Sequence, residues 1–354
     1  TANLPDPVID PAQDDVPSDY FNTVLWTGNG SSTRSITGVG FQPDFIWQKN
    51  RSSLSNHNLV DAVRGIDWRL FSHSTSAEID SAFFASFDSD GFSLDNANNN
   101  DVNLSGNSYV AWNWLAGNGT SSNTDGSITS TVSVNQKAGF SVVGYTGNST
   151  AGATVGHGLG VAPDMLIVKN RDLSINNWWV YHSANTSAPE TDFLSLNATA
   201  ATADNNTIWN DTAPTSSVFT LGSANNGNAS GDNIIAYCFA EVEGYSKFGS
   251  YTGNGSTDGP FVYTGFRPAW VMVKRTDAVG NWQILDTARS ASNVSNANLY
   301  ANLSNAEVNG GNEDMDILSN GWKPRNANAS FNVNGATYIF MAFAETPFKY
   351  ANAR

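Results

Sequence analysis

One long pattern recurs three times along the 354 residues, and this repetition limits the possible folds more than any other feature. Each copy opens on an aromatic-Thr-Gly-Asn turn: Trp26-Thr27-Gly28-Asn29, Tyr145-Thr146-Gly147-Asn148 and Tyr251-Thr252-Gly253-Asn254. A glycine-proline station then leads into an apolar run with basic residues at its end, from Gly40 to Arg51, Gly160 to Arg171 and Gly265 to Arg275. Each copy closes on a second run, after Gly106, Gly231 and Gly335. The copies lie more than a hundred residues apart, beyond the spacing of about 20–50 residues in solenoids and propellers. Each interval is long enough to enclose a core.

The closing runs show how the strands are sided. Trp114, Phe239 and Phe343 share a station; Trp112, Tyr237 and Met341 stand two residues earlier, and Val110, Ile235 and Ile339 two earlier again. Period-two bulk in all three copies predicts one buried face, with Asn113, Cys238 and Ala342 facing elsewhere. Short aromatic and β-branched runs between Gly/Asn turns, with no sustained helical stripe, predict an all-β chain. The expected architecture is three tandem β-sandwiches, lectin-like or jelly-roll-like, of about 100 residues each. The expected boundaries are an extended Pro/Asp-rich arm over 1–19, repeat 1 over 20–115, a flexible linker over 116–126, repeat 2 over 127–244 and repeat 3 over 245–354. On this reading repeats 2 and 3 dock rigidly and repeat 1 is hinged.

Charge narrows the partners. Charged residues are 14% of the chain and its net charge is −15. That charge opposes nucleic acid and anionic membrane, since neither polyanion gains counterion release from such a surface. No apolar stretch reaches the ~18 residues of a membrane-spanning helix, so membrane insertion is not expected. Cys238 is the single cysteine, which excludes an internal disulfide framework, and its strand context reads as core. The start at Thr1 predicts a processed chain or the downstream part of a longer one.

Candidate chemistry is sparse. The four histidines show no metal-ligand spacing, and no nucleophile elbow, P-loop or dinucleotide fingerprint occurs, so no catalytic residue and no enzyme activity are expected. Lys49, Lys169 and Lys274, Arg51, Arg171 and Arg275, and Glu241 with Glu345 recur between copies, and recurrence argues for a role in the shared fold, such as ion pairs. Trp68, Trp178 or Trp179, and Trp282 read as one repeated core station. Trp209 belongs to one repeat only and is the candidate for stacking on a sugar ring. Asp88 and Asp90, in an acidic turn, are candidate calcium ligands, with 312–316 as a second acidic loop; no other cofactor is expected.

Several long motifs carry a resemblance. The stretch from Tyr20 to Gly30, the block from Gly40 to Arg51, the block from Asn281 to Arg289 and the ending from Met341 to Arg354 resemble tail-fibre-like proteins of marine bacteriophages, over essentially the whole chain. In that family such repeats often follow a SPRY-like module, and Leu4-Pro5-Asp6-Pro7 resembles the join. The resemblance implies a non-enzymatic protein at the virion surface, hence extracellular, of the tail-fibre or adhesin type. Its implied partners are other virion proteins and host-surface polysaccharide, and its implied assembly is a homo-oligomer, a trimer in fibres. The alternatives are a capsid decoration or head-fibre protein, and a secreted filament or surface-layer-like protein.

Overall fold

The computed structural model describes residues 6–95, 98–310 and 313–351. Leu4 and Pro5 of the expected join, Asn312 of the second acidic loop and the last three residues of the ending lie outside these.

The described residues form six antiparallel sheets. In repeat 1, hereafter lobe 1, the large sheet runs Phe21–Thr27, Ser108–Trp114, Phe45–Asn50, His57–Asp61, Gly65–Phe71, Ile79–Asp80. Lobe 3 repeats that order with Ser246–Thr252, Thr337–Pro347, Phe266–Arg275, Trp282–Asp286, Ala297–Tyr300 and Val308–Asn309. Lobe 2 does the same and adds Ser121–Asn123 and Ser130–Asn135 at one edge. In each lobe the closing run is therefore a central strand between the first two, and its register is conserved: Trp112 faces Trp47, Tyr237 faces Ile167 and Met341 faces Met272.

Both faces of the large sheets are buried. The outer faces pack under small sheets of two or three strands, giving one apolar cluster per lobe. The inner faces of all three meet in a single further cluster that holds Trp112, Trp114, Tyr237, Phe239, Met341 and Phe343 together. Cys238 and Ala342, on the other side of the strand, fill the lobes' own clusters, and burial pushes the Cys238 thiol up to about 12. The alternation thus separates two cores.

The shared core is aromatic. Trp114 of lobe 1 lies 5.9 Å from Trp270 and 5.6 Å from Phe343 of lobe 3, and 6.3 Å from Phe239 of lobe 2, all edge-to-face. Phe45 stacks on Tyr237 at 4.3 Å. Such pairs add about 0.5–1.5 kcal/mol each beyond area burial.

Two expectations change here. Residues 116–126 are ordered. Ala116 is buried in the shared core, the Ala116 and Asn118 amides donate to Asp44 Oδ2 at 2.8 and 3.1 Å, and Ser121–Asn123 pairs as a strand. Small polar composition suggested a free chain, but those residues are small because the backbone runs close to its neighbours: a Cβ on Gly117 would meet the Val134 backbone at 3.0 Å. Lobe 1 consequently packs against the other two lobes through the shared core. The arm also folds back. Ile9 is buried in the shared core, Asp15 pairs with Lys137 of lobe 2 at 2.7 Å, and Asp6 and Asp10 meet Lys349 and Tyr350 of lobe 3. Its prolines start two short 3-10 turns.

Candidate functional site

The repeated basic residues sit where the lobes join. Lys49, Lys169 and Lys274 are buried, and each ammonium donates to the carbonyl of the next residue, Asn50, Asn170 or Arg275. Lys169 also reaches Thr75 of lobe 1, and Lys274 reaches Thr199 of lobe 2, so each clips its lobe to the previous one. Burial pushes all three down to about 8.

One residue further on, the chain crosses to the neighbouring lobe in all three copies. The Glu307 amide donates to Arg51 O at 2.8 Å, Glu78 to Arg171 O at 2.7 Å and Thr202 to Thr276 O at 2.9 Å. The third counterpart of Arg51 and Arg171 is therefore Thr276, not Arg275. Arg275 faces Tyr338 in the sheet, as Asn50 faces Tyr109 and Asn170 faces Ile234. It pairs locally with Asp277 at 2.8 Å.

Two of the three seams carry the same buried charge relay. Between lobes 1 and 2 it runs Asp61–Arg64 (2.5 Å), Arg64–Glu78 (3.5 Å), Glu78–Arg171 (2.7 Å), with the Tyr237 hydroxyl donating to Asp61 at 2.8 Å. Between lobes 3 and 1 it runs Asp286–Arg289 (2.5 Å), Arg289–Glu307 (3.0 Å), Glu307–Arg51 (2.7 Å), with Trp112 Nε1 donating to Asp286 at 2.9 Å. Against the cost of burial, Arg51 and Arg289 hold the Glu307 carboxyl below its usual value.

The seam between lobes 2 and 3 is neutral at every one of these stations. His182 replaces the aspartate, Asn185 the first arginine, Thr202 the glutamate and Thr276 the second arginine, while Met341 replaces the polar aromatic. His182 Nε2 lies 3.0 Å from the Phe340 carbonyl, and its Nδ1 accepts from the Ala184 amide at 3.1 Å. A carbonyl only accepts, so Nε2 carries the hydrogen and the ring is neutral. Burial pushes its pKa down to about 4, against 6.5 for a free histidine. The folded ring thus binds fewer protons than the unfolded one between those values, and stability present above pH 6.5 is lost as pH falls toward 4. The loss expected from this ring alone is about 3 kcal/mol. Chemical unfolding at stepped pH checks this: a flat stability between pH 6.5 and 4 would refute it.

A recess of ≈ 240 Å³ opens near the junction of lobes 2 and 3, lined among others by Glu241, Glu243, Lys247, Tyr263, Phe348 and Lys349. Tyr263 is 57% exposed and Phe261 beside it 48%, with ring centroids 6.5 Å apart, while Val262 between them is buried. Glu241 pairs with Lys247 at 2.5 Å. Glu243 is exposed and has no side-chain partner among the described residues.

Residues 16–347 fit the model of a domain of unknown function, DUF7483. The chain belongs to the DUF7483 family. No curated protein and no solved structure matches it.

Within this DUF7483 chain the other sequence candidates are buried or tied to neighbouring backbone and side chains. Trp209 is 3% exposed, and its Nε1 donates to the Asp192 carbonyl at 3.1 Å. The turn-rich stretch around it hides a one-turn helix, Asn206–Trp209, that buries Ile208 and Trp209 under lobe 2, so Trp209 is core and offers no ring to a sugar. Asp90 accepts from the Gly38 and Gly40 amides at 3.1 and 2.7 Å, and Asp88 from the Ser86 and Ser93 hydroxyls at 2.6 Å each. Asp88 ties down its own hairpin and Asp90 anchors that hairpin's turn to the 38–40 loop, and among the described residues no three His, Cys, Asp or Glu side chains converge as metal ligands. Glu345 pairs with Arg267 at 3.1 Å. Trp68 is not at the station of Trp178 and Trp282. Those indoles donate across seams to the carbonyls of Phe71 and Ser195, and His57 takes the third place, facing the Tyr300 carbonyl. No helix among the described residues is long and apolar enough to cross a membrane.

Proposed function

We propose that this chain is a non-enzymatic surface protein of a bacteriophage virion, of the tail-fibre or adhesin type, whose three lectin-like lobes act as one rigid head that contacts host-surface polysaccharide. The observation that carries this reading is the exposed Phe261–Tyr263 face beside the charged recess. An aromatic face offers the C–H side of a sugar ring a stacking surface, and Glu243 and Lys247 at its margin offer an acceptor and a donor to ring hydroxyls. The resemblance to marine phage tail-fibre-like proteins supports the same reading, as does a surface rich in amides and hydroxyls.

Binding of the purified chain to host surface polysaccharide, measured by biolayer interferometry, tests it. Tyr263→Ala should weaken binding about tenfold, the equivalent of ~1.4 kcal/mol of lost stacking. Absence of wild-type binding to any host polysaccharide, with firm attachment to capsid shells, would favour a capsid decoration protein instead.

A further inference from the structure

The neutral seam carries a wider opening than the recess of ≈ 160 Å³ at the seam of lobes 3 and 1, which Phe21, Thr23 and Ala288 help to line. A groove of ≈ 370 Å³ lies between lobes 2 and 3, within the range of about 300–1,000 Å³ typical of small-molecule sites. Its lining includes Asn185 and Thr276, two of the stations that hold arginines in the other seams. Both are buried, and around them stand the exposed residues Thr186, Ser250, Thr252 and Thr337, of which the Thr186 hydroxyl already donates to Asp192. No charged side chain lines it.

The other two seams act as internal controls. Where lobe 3 has Ser250, lobe 1 has Leu25, facing Ile339 and Val110 respectively at one shared station of the closing runs. Where lobe 2 has Ala184, lobe 1 has the larger Val63, which packs so closely on lobe 2 that a Cβ on Gly144 would lie 2.8 Å from Val63 Cγ1. At the remaining stations the charged seams are as small, with Gly144 facing Ile235 where lobe 3 has Ser250 and Ala288 where lobe 2 has Ala184, so the neutral seam lacks the one larger apolar side chain that each charged seam keeps, together with four charged groups. The charged seams show that this fold already has a way of joining its lobes, so joining alone does not call for the exchange. Several of the groups left behind have spare valence. Asn185 Oδ1 accepts from Thr202 at 2.8 Å, but its Nδ2 has no protein acceptor among the described residues. Ser250 and Thr252 have no side-chain hydrogen bond there either, while Thr276 and Thr337 share one at 2.7 Å. Uncharged donors and acceptors in a groove of this size fit a ligand that carries many hydroxyls and no charge.

We propose that the seam between lobes 2 and 3 is a binding site for a neutral saccharide, separate from the Tyr263 recess. Asn185 donates through Nδ2 from the floor, and the Ser250 and Thr252 hydroxyls bond sugar hydroxyls from the lobe 3 wall. A charged sugar is disfavoured, because no ion of opposite sign faces it in the groove.

Saturation-transfer NMR with lactose, maltose and N,N′-diacetylchitobiose, and with glucuronic acid as the charged comparison, tests this on the whole chain, with threonine methyl resonances locating the contact. At least one neutral disaccharide should receive saturation and shift the Thr252 and Thr337 methyls. The variant His182→Asp/Asn185→Arg/Thr202→Glu/Thr276→Arg rebuilds the charged relay and should abolish the signal. Ser250→Leu, which places the Leu25 side chain of lobe 1 at an exposed position, should weaken binding at least about tenfold and decides the matter if the fourfold variant does not fold. Tyr263→Ala should leave this signal intact, which separates it from polysaccharide contact at the recess. No saturation of any neutral disaccharide, equal binding of glucuronic acid, or undiminished binding by Ser250→Leu would each overturn the proposal.

Discussion

Replacing Arg289 by alanine should lower the unfolding free energy by about 3–5 kcal/mol, the cost of stranding buried partner charges. Asp286 would lose its one paired cation among the described residues, since its other side-chain contacts there are the Trp112 indole and the backbone amide at position 289, and both side chains of the Asp286–Arg289 pair are fully buried. Glu307 would keep Arg51 but lose its second arginine, and the Ile284 carbonyl would lose a donor. The guanidinium also packs 5.4 Å from the Trp112 ring of lobe 1, so the truncation removes contact across the seam as well. The matched control is Asn185→Ala at the same station of the neutral seam. It removes one side-chain hydrogen bond, to Thr202, and strands no ion, so the expected cost is about 1 kcal/mol. Urea unfolding of the two variants compares them directly; equal losses would mean that the relays contribute nothing beyond an ordinary polar contact. The opposite experiment is also informative, because replacing a whole relay with apolar groups can be neutral or stabilising. The stability argument therefore concerns broken relays, and the wild-type pairs are read as setting which lobe docks where.

Much of this was legible in the strands and little of it in the joints. The period-two set ending at Trp114, Phe239 and Phe343 marks a buried face correctly, but alternation cannot say what lies against that face. The nearly unbroken apolar runs Ile234 to Ala240 and Ile339 to Ala344 were the available sign that the strands are buried on both sides, and hence that the lobes share a core. Arg275 was misplaced by one residue because Lys274-Arg275 looks like Lys-Asn-Arg with the middle residue missing, and only pairing with Tyr338 fixes the register. The recess was missed for a different reason. In Phe261-Val262-Tyr263 the buried member is the small central valine, so two aromatics point outward, and aromatic content alone reads as core. Trp209 misled in the reverse sense: its turn-rich surroundings suggested exposure, but a four-residue helix capped by Asn205 turns the indole inward.

Trp114→Ala should destabilise all three lobes together. Large aromatic-to-alanine truncations in cores cost about 3–5 kcal/mol. The ring of Trp114 is 1% exposed and touches Phe21 and Phe45 of lobe 1, Phe140 and Phe239 of lobe 2, and Trp270 and Phe343 of lobe 3. A void at that point removes contacts from each lobe, and no single lobe can close it by shifting alone, since its own sheet is pinned on the outer face by a second cluster. Sequential independent domains would behave otherwise: a truncation in lobe 1 would lower one unfolding step and leave two unchanged. The expected result is one calorimetric transition in the wild type, moved as a whole to lower temperature in the variant, with tryptophan fluorescence and far-ultraviolet circular dichroism reporting the same midpoint. A variant in which only part of the enthalpy moves would show that the lobes unfold separately and that their common aromatic centre holds them in place without coupling them.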